Sequence, residues 1–299
     1  MSDRAALHPN GQIGVTLRAI AHEILSKSRD TLKAGADDPV HDFRKSMKRW
    51  RAYVRLLEPL IGKNCRKLRI EARDLARKLA GARDAEAARE AFKDATGRDA
   101  RLAPKPFDSI RKELNRLSAA AKGAGLTTET IEELNRWLDQ ALAAVDQWRL
   151  DKIHFADLTR ELSATYRRAR AAMPDDWANA APNALHSFRQ RVVEHRYQME
   201  LVEPLWPKLN RLWIDQAQKL RDHLGQYQDL VILLRLTEPR QPLEKWRIRM
   251  EPLIALRQAE HLVVAQRLAG RLFAERPKAL RRRLDAIWES ESRNGEPLG

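Results

Sequence analysis

Only one cysteine, Cys65, occurs in the 299 residues, which excludes an internal disulfide framework and any cysteine-built zinc site. No apolar run approaches the roughly 20 residues that cross a bilayer, so no membrane span is expected. The opening MSDRAALHPNGQIG lacks the apolar stretch of a secretory leader, and a cytoplasmic protein is expected. Alternating strand patterns are missing, and β-branched runs are few. Aromatic residues reach only 6%, too few for the stacking platform of a single-strand nucleic-acid binder. Trp50, Trp206, Trp213 and Trp246 are therefore read as core anchors. No phosphate loop is present: Gly62–Lys63 is followed by Asn64 and lacks the earlier glycine. No Ser-His-Asp order or paired-carboxylate constellation stands out either, and no cofactor or metal is expected.

Negative charge is also in deficit. Lys and Arg total 56 against 41 Asp and Glu, a net charge of +15 and a pI near 10.2. Forty of the cations are Arg, whose planar fork suits phosphate and carboxylate oxygens. The surplus predicts an acidic partner. What fills the chain is amphipathic helix, rich in Ala, Leu, Arg and Glu. Breaks fall at residues 34–39, 102–106, 122–130, 172–183 and 237–242. Pro39 and Pro182 each precede a helix that opens with a histidine, a place where proline suits a helix start. The fold class is all-α.

The stretch VHDFRKSMKRWRAYVRLLEPL (residues 40–60) carries two registers. Phe43, Met47, Trp50, Val54 and Leu57 form a seam at the helical period. His41, Arg44, Lys48, Arg51 and Arg55 form a second stripe, roughly 120° away at about 100° per residue. Like charges at this spacing oppose helix formation by about 0.2–0.5 kcal/mol per pair. Removing Lys48 and Arg55 is thus expected to leave stability unchanged or slightly higher. Only Asp42 precedes Glu58 on this helix, so its field is locally uncompensated. Arg66, Arg69, Arg73 and Arg77 make a comparable row on the next helix, where Glu71, Asp74, Asp84 and Glu86 offer partners.

A repeat follows. LHSFRQRVVEHRYQMELVEPLW (residues 185–206) aligns under the first stretch at a shift of 145 residues. His41 falls on His186, Phe43 on Phe188, Arg44 on Arg189 and Arg51 on Arg196. Leu56, Glu58, Pro59 and Leu60 fall on Leu201, Glu203, Pro204 and Leu205. At the same shift Leu79 and Asp84 fall on Leu224 and Asp229. Two matched blocks at one offset indicate a duplicated helical unit, split near residue 148 into halves at 12–148 and 149–290.

The H-x-F-R-x3-K-R-W-R pattern at residues 41–51 and its copy at 186–200 resemble the CHAD family (conserved histidine α-helical domain). GARDAE (residues 81–86), LGQYQDL (224–230) and TYRRAR (165–170) resemble further motifs of that family. The resemblance implies two helical-bundle halves related by a pseudo-two-fold axis, with a basic central groove or pore that binds inorganic polyphosphate. Carried onto this sequence, the implied ligands are His41, Arg44, Lys45, Lys48, Arg51, Arg55, Arg66, Arg73, Arg77, Arg83, Arg170, His186, Arg189, Arg191 and Arg196. Val193 stands where the first copy has Lys48, and Glu200 where it has Arg55, so the second half is expected to be the weaker anion surface. Attachment to polyphosphate granules is compatible with this expectation.

Other readings stay beside it. Some CHAD chains are joined to a CYTH triphosphatase domain, whose E-x-E-x-K signature is missing here. The His41–Asp42 pair, with His22 upstream, invites a metal-dependent phosphohydrolase. The second copy reads His186–Ser187, however, and a cationic helix repels a divalent ion. Non-specific nucleic-acid binding is the main alternative, because phosphate contacts alone can hold a duplex. The two helix-leading histidines suit a supporting role in the fold as well as ligand contact.

Overall fold

The computed structural model of the protein describes residues 5–33, 38–79, 83–97, 106–122 and 127–294. Among the described residues, six helices precede residue 148: α1 (Ile13–Asp30), α2 (Pro39–Ile61), α3 (Lys63–Lys78), α4 (Arg83–Thr96), α5 (Pro106–Lys122) and α6 (Thr128–Asp146). After it come α7 (Phe155–Ala171), α8 (Pro182–Met199), α9 (Pro207–Arg235), α10 (Arg247–Leu272) and α11 (Pro277–Asn294). Short 3-10 turns at Glu203–Leu205 and Glu244–Trp246 lead into α9 and α10. No strand occurs among the described residues, and the fold is all-α.

Local chemistry sets the helix ends. Pro39 and Pro182 both occupy the first turn of a helix, as their positions in the sequence predict. Asp38 caps α2 by accepting the His41 backbone N–H at 3.0 Å. Gly62, at φ 95°, closes α2 and opens α3 in a left-handed conformation that side-chain-bearing residues rarely adopt. This turn is the structural use of the Gly-Lys pair that falls short of a phosphate loop.

Neighbour relations run in parallel along the chain. α1 packs on α2 and α6, while α7 packs on α8 and α11. α3 lies against α2 as α9 does against α8, and the α4–α5 pair is matched by α9–α10. The continuous α9 covers the positions that the 145-residue shift assigns to α3 and the first part of those it assigns to α4. The earlier and later helices meet where α2 crosses α7 and α8, and where α4 packs on α9 and α10.

Two cores result. In the larger, the seam residues Phe43, Met47, Trp50, Val54 and Leu57 are all fully buried. Trp50 stacks on Trp148 with ring centroids 6.1 Å apart. The smaller core joins Phe92, Ile110 and Leu114 to Leu230, Leu233, Met250 and Ile254. A polar latch holds α4 beside it. Asp94 accepts from Arg257 Nη2 at 2.7 Å and from His261 Nε2 at 2.7 Å, and His261 Nδ1 lies 3.0 Å from His223 Nδ1.

At the 145-residue shift the counterpart of Trp50 is His195, which is also fully buried. The Thr165 hydroxyl donates to the Leu162 carbonyl at 2.8 Å, so it accepts from His195 Nδ1–H at 3.1 Å. His195 Nε2 is then a bare acceptor, buried without a partner, with Tyr166 and Trp213 edge-on to the ring. Burial, and secondarily the Arg168 charge, push its pKa down to about 3. The unfolded chain protonates this ring near pH 6.5 and the folded one only near 3. The stability it contributes is therefore full above pH 6.5 and eroded as pH falls, by about 1.4 kcal/mol per pH unit. Urea midpoints measured from pH 7 to 4.5 are expected to fall more steeply for the wild type than for His195→Phe. Equal slopes would show that the buried ring accepts a proton readily.

Candidate anion-binding groove

The cationic stripe of α2 turns toward α3, whose own row of arginines comes to meet it. Arg51 stands at the centre. Its guanidinium is half-buried, and its pKa is lowered by that burial and by Arg69, Arg73 and Arg77, with Glu194 offsetting only part. It stays a cation, because an Arg reference value above 12 leaves ample margin. Its buried Nε has no hydrogen-bond partner. Like-charged guanidinia gathered in a half-dry place, one with an unused donor, are unfavourable for the free protein and favourable for an anion.

The neighbours are partly neutralised. Arg69 Nε bonds Glu58 at 2.7 Å, and Arg73 Nε bonds Asp74 at 2.9 Å with Arg77 3.8 Å from the same carboxylate. The hydrogen bond from Arg73 holds the Asp74 carboxyl below the usual range. Around the Gly62 turn a groove of about 420 Å³ opens, lined by Arg55, Lys63, Arg66, Arg69 and, from α7, Arg168, with Glu58 in its wall. On the α8 side Glu194 gathers three arginines: Arg55 at 3.3 Å, Arg191 at 3.4 Å and Arg168 at 3.8 Å. Burial lowers the Arg168 pKa, Glu194 counters this, and Arg55 and Arg191 add to the lowering.

Six of the residues that the sequence points to thus converge: Arg51, Arg55, Arg66, Arg73, Arg77 and Arg191. Arg69, which the sequence shows only as part of the second row, is central. Sequence reasoning misses Arg168 and Lys63; Arg168 lies inside the TYRRAR motif, two residues before Arg170. Arg170 itself is exposed at the last turn of α7.

The other candidates lie outside this cluster. Arg44 Nη1 donates to the Leu79 carbonyl at 3.1 Å, and its counterpart Arg189 donates from Nε to the Arg221 carbonyl at 3.4 Å. Arg189 can lie there because residue 225 is glycine; a Cβ would come within 3.0 Å of Nη2. Arg196 bonds Glu200 at 3.1 Å and covers the Tyr197 ring. His41 and Lys45 are exposed near the start of α2, and Lys48 is half-buried on the next turn. His186 meets Gln190 at 2.8 Å, and burial with Arg189 nearby lowers its pKa. The Arg83 side chain lies outside the described residues.

One expectation needs correction. The charge of α2 is uncompensated only along its own helix. Across the interface Glu194 meets Arg55, and Glu200 meets Arg49 at 3.1 Å. Glu200, which stands where the first copy has Arg55, is a partner of the first copy's Arg49. A second cavity of about 240 Å³ lies on the Arg49 side, bordered by Glu23, Glu200, Glu203 and Arg211. There Arg49 pairs with Glu200 and Arg211 with Glu203, so it lacks the cationic excess of the groove.

With this geometry in hand, a match over most of the chain decides the family: the model of the CHAD domain fits residues 16–238. The chain belongs to the CHAD family. Among solved structures, the CHAD domain from the plant Ricinus communis superposes with a TM-score of 0.54, at 18% identity, covering 99% of this chain and 96% of that one. At that identity the likeness speaks to the fold, and it extends beyond residue 238 to the CHAD chain's last helices. No curated protein matches this CHAD chain.

Proposed function

We propose that this CHAD chain binds inorganic polyphosphate in the α2–α3 groove and does not turn it over, with attachment to polyphosphate granules as its cellular use. The observation that carries the reading is the crowding of Arg51 by Arg69, Arg73 and Arg77 in a half-buried position with an unused Nε donor. Such an arrangement costs stability unless an anion occupies it, and Arg forks match phosphate oxygens. A bare phosphate chain, without bases or sugars, suits a groove that a duplex about 20 Å wide would only straddle. The sequence supports binding without turnover, since none of its motifs supplies a nucleophile or nucleotide loop.

A competition titration of long-chain polyphosphate against duplex DNA, at several salt concentrations, tests the proposal. Polyphosphate is expected to win at every salt. Its log affinity should fall linearly with log salt, because several condensed counterions are released. Preference for DNA would favour the nucleic-acid reading. Steady phosphate release from polyphosphate, with or without Mg²⁺ or Mn²⁺, would overturn the non-enzymatic part.

A further inference from the structure

At the 145-residue shift, Glu194 falls on Arg49 and Glu200 on Arg55. The ion pairs across the α2–α8 crossing are Arg49–Glu200 and Arg55–Glu194. Exchanging the halves therefore turns one pair into the other. As interface pairs they are equivalent, but their surroundings differ. Glu200 sits between Arg49 and Arg196, on the side of the smaller cavity. Glu194 pairs with two arginines that line the groove, Arg55 and Arg168, and with Arg191, around one carboxylate whose side chain is only 16% exposed. Its Oε1 is buried and accepts no well-formed hydrogen bond. The Arg168 Nε beside it is likewise buried and unused. Three guanidinia thus surround one loosely held carboxylate, Arg55 and Arg168 at 3.3 and 3.8 Å from Oε1 and Arg191 at 3.4 Å from Oε2, longer than charge-assisted hydrogen bonds of about 2.7–2.9 Å.

We propose that Glu194 is a resident counter-anion: in the free protein it holds Arg55, Arg168 and Arg191 at the place where a phosphate group of the ligand sits, and the ligand must displace it. The proposal rests on the polyphosphate reading above and adds a selectivity device to it. A tethered carboxylate competes at high effective concentration with any single small anion. A long chain overcomes it because many phosphates bind at once and release many counterions. Glu194 therefore raises the threshold that separates long polyphosphate from monophosphate and short oligophosphates.

The test compares wild type, Glu194→Gln and Glu200→Gln by titration with tripolyphosphate and with long-chain polyphosphate across a salt series. Glu194→Gln is expected to bind tripolyphosphate about tenfold more tightly, the scale of one charge-assisted contact. The gain for long chains should be smaller, and the salt slope should steepen by about 1 as freed arginines take up phosphate. Glu200→Gln should bring no such gain. Unchanged or weaker binding by Glu194→Gln, with wild type binding normally, would overturn the counter-anion and leave the polyphosphate reading standing. No binding by either protein would overturn that reading itself, and the inference with it. If Glu194→Gln fails to fold, Glu194→Asp keeps the charge and withdraws it by one methylene. Tighter binding by the Asp variant supports the proposal, and unchanged binding overturns it.

Discussion

Arg51→Glu is expected to lower the affinity for long-chain polyphosphate by tenfold or more and to flatten its salt dependence by about 1 to 2 in slope. The reason lies in what surrounds Arg51. Arg69, Arg73 and Arg77 all raise the cost of its charge, and burial adds to that cost. A carboxylate placed there would pair with those three cations, occupying the site from within while relieving the repulsion. The melting temperature of Arg51→Glu should therefore hold or rise as binding falls. Reversal at Arg189 or Arg196 should behave in the opposite way. Arg189 holds the Arg221 carbonyl against Gly225, and Arg196 bridges Glu200 and Tyr197. Those changes should reduce stability, and affinity per folded molecule should change less. Equal loss of affinity in all three variants, with folding intact by circular dichroism, would mean that both halves serve the ligand alike.

The core seam and the cationic rows are legible in the amino-acid sequence. Every position from Phe43 to Leu57 that helical spacing assigns to the seam is buried, because a five-residue apolar row has no other stable destination. Pro39 and Pro182 mark helix starts by an intrinsic backbone constraint. The rows on α2 and α3 read as cationic from their spacing, and the tight turn at Gly62 brings them face to face. Arg168 is hidden for a physical reason. Local sequence says that α7 is a helix, but which of its cations turns toward α2 depends on a crossing between segments more than 100 residues apart in the chain. Glu200 misleads for the same reason. Read along one helix, it is a lost cation; across the α2–α8 interface, it is a partner of Arg49. His195 is the reverse case. Its place on the seam, where the first copy has Trp50, is a sequence signal for a buried neutral ring, and a pattern of anion ligands does not point to it.

The two registers of α2 should still separate by mutation, though not in the way the stripe alone suggests. Trp50→Ala is expected to destabilise the fold by about 3–5 kcal/mol, the range for removing a large buried aromatic side chain. Trp50 is fully buried, stacks on Trp148 and neighbours Tyr53, so the cavity would lie where α2 meets the segment joining the halves. Lys48→Ala with Arg55→Ala removes no part of this seam. From the stripe alone that double variant would melt at the same or a higher temperature. The structure shifts the expectation slightly downward, because Arg55 pairs with Glu194. The loss is small, about 1 kcal/mol or less for a partly exposed ion pair, since Glu194 keeps Arg168 and Arg191. Urea unfolding of both variants, with polyphosphate titrations corrected for the folded fraction, reads out the separation. Trp50→Ala should bind normally once that correction is made, whereas the double variant should stay folded and bind more weakly. If the double variant unfolds as readily as Trp50→Ala, the cations of α2 hold the two halves together first, and the groove is a by-product of that joint.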